Sequence, residues 1–179
     1  MENLIVRPVA LADLTSLAEI DHSYHTDYIW QMELNSRNYE VTVNFREVRL
    51  PRSMQVEYPR DVTYLVDGWR DHPGFFVAEY EGDPIGYINL SVVDNPNLIS
   101  ILDVVVVRRL RRHGVGIALF QAAQTWVIKE KAAHHIIVGM QSKNHPGICL
   151  VNKLGFEFCG YNDHYYENQD IAIFFAKRI

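Results

Sequence analysis

The sequence predicts one mixed α/β domain that spans residues 1–179. Three observations support this fold class. The chain has 179 residues, 48% of them hydrophobic, which is enough for one sizeable core. Residues 39–58 alternate apolar and polar side chains, as strands do, and residues 75–80 and 85–93 are two strand-like segments joined by a typical hairpin turn. The second half then alternates strand and helix patterns to the end.

In the first half, Pro8 confines the opening strand to a sheet edge or a strand end. Leu11, Leu14 and Leu17 share one helical face, and this pattern ends within residues 21–28. A later alternating segment is interrupted by Pro51, which predicts two strands with a turn between them. The predicted elements are a strand at 4–9, a helix at 11–18, two strands within 39–58 and an irregular segment at 59–74.

In the second half, residues 104–107 are apolar on both faces, which predicts a central strand covered on both sides. Pro146 suits the first position of a short helix, and Gly155 suits a left-handed position just after its end. The predicted elements are strands at 75–80, 85–93, 99–107, 134–140, 156–161 and 171–176, and helices at 114–132 and 146–154.

The basic residues are concentrated in one place. Arg108, Arg109, Arg111 and Arg112 follow the predicted central strand, although the whole chain has a net charge of −5. A protein that binds nucleic acid through phosphates needs basic groups over a broad face. We therefore expect no nucleic-acid partner, and we expect a small anionic ligand at this cluster.

The composition also limits compartment and metal content. Cys149 and Cys159 form no C-x-x-C motif, and zinc-type His/Cys spacings are absent, so we expect no metal. No apolar run approaches the ~20 residues of a membrane span, and the N-terminal residues lack a signal-peptide pattern. We expect a cytoplasmic protein with no membrane partner.

Gly114 and Gly116 lie where the helix after the central strand must begin. A helix N-terminus presents unpaired N–H groups and a positive dipole end, and glycine lets a ligand approach the backbone closely. The patterns of P-loops and dinucleotide-binding folds are both absent. The turn therefore suits the pyrophosphate of a ligand other than those that P-loops and dinucleotide-binding folds bind.

The segment Arg111-Arg112-His113-Gly114-Val115-Gly116 resembles the pyrophosphate motif (R/Q)-x-x-G-x-(G/A) of the GNAT acetyltransferases. Residues 144–156, NHPGICLVNKLGF, resemble the later family motif N-x-x-A-x-x-x-Y-x-x-x-G-F. Both motifs occur in the family's order, and the predicted elements follow the family's order as well. The resemblance implies the GNAT fold, with a central, mostly antiparallel sheet that is splayed at the acyl-CoA site and flanked by helices.

The resemblance also implies acetyl-CoA as the acyl donor. The backbone of the central strand would pair with the pantetheine arm, the glycine turn would wrap the pyrophosphate, and Asn144 would contact the cofactor where two strands part. Asn144 equally suits a turn that stabilises the start of a helix. The implied cofactor-binding residues are Val104, Val105, Val106, Arg111, Arg112, His113, Gly114, Val115, Gly116, Ile117 and Asn144.

A narrower resemblance is to the streptothricin acetyltransferases and their relatives. It is carried by TDYIW at residues 26–30, by FREVRLPRSMQVEYP at residues 45–59 and by the tail from residue 155 to residue 175. In that branch a G-F-D-x-x-x-Y tail follows K-x-G-F, and residues 160–162 with Tyr166 occupy the comparable places.

The catalytic residues depart from the family pattern. Val151 stands where a tyrosine often protonates the leaving thiolate, so we predict that Tyr166 is the acid, with Tyr161 and Tyr165 as the next choices. The central-strand face that carries a base in several members shows Ser100 and Leu102 here. Asp103 points the other way if the alternation is regular. The candidate bases are Asp103, Glu79 and Asp163.

The leading function hypothesis is acetyl-CoA-dependent N-acetylation of a primary amine on a small molecule, such as a streptothricin-like antibiotic or another cationic amine. Net negative charge favours encounter with a cationic acceptor. A second hypothesis is acetylation of a protein or peptide amine. A third is a GNAT module that binds acyl-CoA without turnover. The sequence leaves the oligomeric state open, a homodimer included.

Overall fold

The computed structural model describes residues 3–63, 65 and 68–179. Residues 64, 66 and 67, which belong to the segment predicted as irregular, lie outside this description. In chain order the elements are β1 (Leu4–Pro8), α1 (Leu14–Ala18), β2 (Tyr24–Arg37), β3 (Glu40–Val56), β4 (Gly74–Tyr80), β5 (Asp83–Val92), β6 (Leu98–Val106), α2 (Val115–Glu130), β7 (His135–Gln141), α3 (His145–Lys153), β8 (Glu157–Asn162) and β9 (Ala172–Arg178).

Within the described residues, seven strands form one sheet in the order β1-β4-β5-β6-β7-β9-β8. The β6–β7 pair is parallel and the other pairs are antiparallel. β1 pairs with β4 alone, so Pro8 lies on an edge strand, where its missing N–H costs no ladder bond. The predicted α/β class and mostly antiparallel sheet are confirmed.

The helices cover both faces of this sheet. On one face, Leu14 and Leu17 of α1 are buried against Val77, Tyr87 and Val105. On the other face, α2 packs across β4, β5 and β6 through an apolar stripe. The buried residues of that stripe are Val115, Leu119, Phe120, Ala123 and Val127. In the described part of the chain, no helix is both long and apolar enough to cross a membrane.

β2 and β3 form a separate two-stranded sheet, and here the sequence prediction is wrong. The strands make one long antiparallel hairpin that turns at Asn38 and Tyr39, rather than two strands divided at Pro51. Thr26 pairs with Met54 and Tyr28 pairs with Arg49, so residues 50–53 bulge opposite one residue of β2. Because a bulge interrupts the ladder, Pro51 is accommodated inside the strand.

The base of the hairpin packs beside the end of β7 and β9. The Trp30 ring lies 6.1 Å from the Phe175 ring, and the Trp30 backbone N–H donates to the Ser142 carbonyl at 2.8 Å. The Phe45 ring lies 5.7 Å from the Phe158 ring. These contacts hold the hairpin against β8, β9 and the residues that follow β7.

Candidate active site

The parallel pair β6–β7 separates part-way along its length. Residues 98–101 of β6 pair with residues 135–138 of β7, whereas β6 continues to Val106 on β5 alone and β7 continues to Gln141 on β9 alone. A cavity of about 440 Å³ lies at this opening. Its lining includes residues 102–106 of β6, the start of α2, residues 138–141 of β7, the start of α3 and Tyr166. The predicted splay of the central sheet is confirmed.

The start of α2 forms one end of the cavity. Gly114 has φ +90°, a left-handed conformation that favours glycine, and the Ala118 N–H makes the first intrahelical bond, to the Gly114 carbonyl at 3.0 Å. The N–H groups of Val115, Gly116 and Ile117 therefore have no acceptor inside the helix. Gly116 and Ile117 line the cavity, so this end can bind an anion as a helix N-terminus does.

Arg111 has a role that the sequence did not reveal. Its Nε donates to the Val106 carbonyl at 2.8 Å, and its two terminal nitrogens donate to the carbonyls of Ser23 and Asp21 at 2.7 and 2.8 Å. These bonds tie the loop before α2 to the end of β6 and to the segment before β2. Arg111 therefore stabilises the loop through all three guanidinium nitrogens, which are the same donors that it would use to bind a phosphate. Arg112, at φ +69°, is exposed and lines the cavity.

Replacing Arg111 with alanine should lower the free energy of unfolding by about 1–3 kcal/mol, because carbonyls that it satisfies lose their charged donor. Arg112→Ala should leave the unfolding free energy unchanged and weaken acetyl-CoA binding in a salt-dependent way. Urea denaturation and cofactor titration at two salt concentrations check both variants. Equal stability of the two variants would contradict the bracing role of Arg111.

Most of the predicted cofactor-binding residues line the cavity. They are Val104, Val105, Val106, Arg111, Arg112, Gly114, Gly116, Ile117 and Asn144. The side chains of two others do not. His113 is exposed, with its Nδ1 2.8 Å from the Arg111 carbonyl, and Val115 is buried in the core below α2. The Val115 side chain is therefore out of reach of a ligand, and the His113 side chain lies outside the cavity lining.

Asn144 caps the next helix. Its Oδ1 accepts the Gly147 N–H at 2.9 Å, and Pro146 follows it in the first turn of α3. A Cβ at Gly147 would lie 2.8 Å from the Asn144 side chain, so this cap needs glycine there. Asn144 also lines the cavity. The residue that caps α3 therefore lies at the opening between β6 and β7.

Asp103 lies on the face of β6 that the sequence analysis assigned to Ser100. Asn89 pairs with Asp103 and Leu90 pairs with Ile101, so Leu102 is an extra residue in β6 and the alternation shifts by one. The expectation from regular alternation is therefore wrong. The bulge turns the Asp103 side chain away from the α2 face and towards the other side of the sheet.

The Asp103 carboxyl is buried and lines the cavity. Arg60 Nη1 lies 3.1 Å from its Oδ1 and also donates to the Leu102 carbonyl. Burial raises the pKa of Asp103 to about 8, because desolvation penalises the charged form. A carboxyl with such a pKa is half ionised at about pH 8, and it can accept a proton in its ionised form, which predominates above that pH.

Tyr166 reaches the cavity from the segment between β8 and β9. It is 6% exposed, and burial raises the pKa of its phenol. Its hydroxyl makes no hydrogen bond with another described residue. Val151 also lines the cavity but has no proton to donate. Tyr161 and Tyr165 are not among the lining residues, and the Tyr165 ring instead packs edge-on against Tyr166 at 5.0 Å.

The other two candidate bases lie away from the cavity lining. Glu79 pairs with Arg7 at 2.8 Å on the β1–β4 edge. Asp163 lies 3.7 Å from the His164 ring in the turn after β8. Asp103 is thus the one of the three proposed carboxylates that the fold brings to the cavity. Among the residues described, no group of three or more His, Cys, Asp or Glu side chains is arranged to hold a metal ion.

The sequence analysis missed five further polar residues that line the cavity, of which Arg60 contacts Asp103: His22, Tyr24, Tyr58, Arg60 and Gln141. Four of them come from residues 22–60, where no catalytic motif occurs. The Tyr58 hydroxyl is buried and has no hydrogen-bond partner among the described residues. The one available signal was the narrower resemblance of residues 45–59, which includes Tyr58.

Comparison with known proteins gives consistent matches. The Acetyltransferase (GNAT) family matches residues 40–156. An N-alpha-acetyltransferase of Sulfurisphaera tokodaii is 32% identical over 158 residues, which is 80% of this chain and 92% of that protein. Nourseothricin acetyltransferase has a similar structure, with a TM-score of 0.80, 23% identity and 98% of each chain covered.

A candidate streptothricin acetyltransferase of Bacillus anthracis, solved in complex with acetyl coenzyme A, has a TM-score of 0.77 and 22% identity over 98% of this chain and 97% of that one. These structural likenesses show the fold, and the family match covers more than half of the chain. The resemblance inferred from the two sequence motifs is confirmed. The chain belongs to the GNAT family of acetyltransferases and is an N-acetyltransferase.

Proposed function

We propose that the protein transfers the acetyl group of acetyl-CoA to a primary amine of a small molecule by direct attack. The observation that carries the proposal is the content of one cavity: the helix N-terminus of α2, the unpaired edge of β6, Asp103 and Tyr166 all line it or open onto it. An anion-binding end and an end with a buried acid–base pair are what acyl transfer from a pyrophosphate-containing donor requires.

The donor would lie along β6. Beyond residue 101 the edge of β6 that faces β7 has no strand partner among the described residues. The backbone groups of residues 104–106 on that edge, apart from the Val106 carbonyl that accepts from Arg111, are therefore available to amides of the pantetheine arm. The pyrophosphate would lie on the N–H groups of Gly114, Gly116 and their neighbours. The thioester would then lie between β6 and β7, near Asp103.

In the reaction, Asp103 takes a proton from the acceptor ammonium, and the freed nitrogen attacks the thioester carbon. The new C–N bond forms a tetrahedral oxyanion, which collapses as the C–S bond breaks. The nitrogen loses a second proton, and Tyr166 supplies a proton to the leaving thiolate. The sum is one amide, one CoA thiol and one released proton per acetyl group.

A small acceptor is supported by the size of the cavity. About 440 Å³ falls in the range of small-molecule sites, and the acetyl-pantetheine end would fill part of it. The acceptor end is bordered by Tyr24, Tyr58 and Arg60, which the hairpin and the segment after it contribute. The names of the nourseothricin and streptothricin enzymes support a small cationic amine as well.

A second candidate acceptor is the α-amine of a peptide or protein. It is favoured by the name of the Sulfurisphaera tokodaii relative, an N-alpha-acetyltransferase at 32% identity. The two candidates share the donor site and the acid–base pair and differ in the size of the acceptor.

The test measures CoA-thiol release from acetyl-CoA with streptothricin, polyamines, aminoglycosides, a lysine peptide and peptides with a free α-amine. We expect a small amine to give the highest kcat/KM. A higher value for a free peptide α-amine would establish the second candidate instead. Thermal stabilisation by acetyl-CoA without thiol release on any acceptor would overturn both and leave a binding module.

Replacing Tyr166 with phenylalanine should lower kcat by about tenfold and leave acetyl-CoA binding intact. The effect is modest because an alkyl thiol has a pKa near 8.5, so its thiolate leaves readily even without a full proton transfer. Steady-state kinetics with the best amine and a thermal shift with acetyl-CoA check this. Unchanged kcat would exclude Tyr166 as the acid, and Tyr161→Phe, outside the cavity, is the matched control.

A further inference from the structure

Tyr24 ends a chain of hydrogen bonds that begins at a charged pair behind the cavity. The Tyr24 hydroxyl lies 3.0 Å from Gln141 Oε1, and Gln141 Nε2 donates to Asp170 Oδ2 at 2.7 Å. Lys143 pairs with the other oxygen of Asp170, and Asn168 Nδ2 donates to Oδ2 at 3.1 Å. Gln141 is 2% exposed and Asp170 is 9% exposed, so water competes little for these bonds.

The chemistry of these groups sets the direction of the chain. An ionised carboxylate only accepts hydrogen bonds, so the Gln141 amide must turn its NH₂ group towards Asp170. Its carbonyl oxygen then faces Tyr24, and a carbonyl oxygen also only accepts. The Tyr24 hydroxyl must therefore donate its single proton to Gln141. Burial, the neighbouring Tyr166 phenol and Asp170 all raise the pKa of Tyr24, so the phenol keeps this proton near neutral pH.

Because its proton is donated to Gln141, the Tyr24 hydroxyl can only accept hydrogen bonds from a ligand in the cavity. Its oxygen retains lone pairs, but its proton is already used. Tyr166 differs, because its hydroxyl has no described hydrogen-bond partner and its proton is available. The Tyr166 phenol lies close enough to Tyr24 to contribute to its raised pKa, yet Tyr24 can only accept from a ligand while Tyr166 can donate.

We propose that Tyr24 is the hydrogen-bond acceptor for the N–H groups of the acceptor amine, and that Gln141 and Asp170 are positioning residues that hold it in this role. The inference rests on the proposed function, because it requires an amine bound beside Asp103. An amine and an ammonium both carry N–H donors, so Tyr24 would orient the nitrogen while Asp103 removes its proton. Tyr24 would then determine affinity for the amine, and Asp103 and Tyr166 would determine the rate of acyl transfer.

The test compares Tyr24→Phe with Tyr166→Phe on the best amine, with Tyr161→Phe as a matched control outside the cavity. For Tyr24→Phe we expect KM for the amine to rise about tenfold, while kcat and KM for acetyl-CoA stay within about twofold. For Tyr166→Phe we expect the reverse, a loss in kcat. A fall in kcat with unchanged amine KM in Tyr24→Phe would overturn the proposal, because it would make Tyr24 an acid or base.

A second variant tests the chain itself. In Asp170→Asn the Gln141 amide is no longer forced to face residue 170 with its NH₂ group, so Tyr24 is free to turn its proton into the cavity. We expect amine KM to rise and Asp170→Asn to add little to Tyr24→Phe in the double variant. An unchanged amine KM, or full additivity, would overturn the role of Gln141 and Asp170.

The result for the wild-type protein separates the proposed function from the role of Tyr24. A wild-type protein that binds acetyl-CoA and releases no thiol with any amine overturns the proposed function, and the inference with it. An active wild-type protein whose amine KM is unaffected by Tyr24→Phe overturns the inference alone. Melting temperatures of all variants confirm that each comparison is made on folded protein.

Discussion

Replacing Asp103 with asparagine is expected to lower kcat by roughly 10²–10⁴-fold, the usual contribution of a positioned general base. Asparagine keeps the size of the side chain and its ability to accept a hydrogen bond from Arg60, but it cannot take a proton. The thermal shift caused by acetyl-CoA should therefore persist in the variant. Kinetics at saturating amine, together with that thermal shift, separate loss of chemistry from loss of binding.

The pH dependence of the wild-type rate gives an independent measurement of the same residue. A base with a pKa of about 8 is protonated and inactive below that pH, so kcat should rise with pH and level off above about 8. Asp103→Asn should lack this inflection. A wild-type profile that is flat between pH 6 and pH 9 would contradict the assignment, and Asp163→Asn, a carboxylate outside the cavity, should match the wild type.

The same raised pKa predicts a change in stability. Folding favours the protonated form of Asp103, so its contribution to stability is fully present below the unfolded pKa of about 3.9 and is lost as pH rises to about 8. The melting temperature of the wild type should fall across this range relative to Asp103→Asn, which has no proton to lose. A parallel pH dependence in the two proteins would show that Asp103 is not protonated by burial.

The proposed donor half of the site could be predicted because its signals are local. A buried strand, two glycines and a following amphipathic helix are adjacent in sequence, and elementary helix geometry makes their N–H groups available at one point. Gly114 and Gly116 do line the cavity. The cap formed by Asn144 was also foreseen as an alternative, since it needs only the residues that follow it.

The proposed acceptor half depends on pairings between distant segments, which the local pattern does not contain. Asp103 faces the cavity because β6 has an extra residue opposite β5 at Leu102. Pro51 locally predicts a turn, whereas the bulge that accommodates it inside β3 is set by the pairing of β3 with β2. Tyr24 and Arg60 reach the cavity only because the hairpin and the segment after it fold back over the sheet. Their chemistry therefore became visible only with the fold.

Among substitutions in the proposed donor half, one at Gly116 should have the largest effect on acetyl-CoA binding. Gly116→Leu should abolish thermal stabilisation by acetyl-CoA, which for the wild type would amount to about 2.7 kcal/mol at a 100-fold excess over Kd. A Cβ at Gly116 would already lie 3.1 Å from Leu150 Cδ2, and both residues line the cavity. The longer leucine side chain must extend over the N–H groups at the start of α2, where the pyrophosphate would bind.

Gly116 is a better position for this test than Gly114. Gly114 has φ +90°, so a substitution there would strain the loop itself and confound binding with folding. Gly116 is not among the residues with positive φ, and leucine has a higher helix propensity than glycine, so the helix should not be weakened. Gln121→Leu, on the exposed side of the same helix, adds the same side chain away from the cavity. A full acetyl-CoA shift in Gly116→Leu would mean that the pyrophosphate does not bind at this helix, whereas a shift lost in Gln121→Leu as well would assign the effect to the helix rather than to the site.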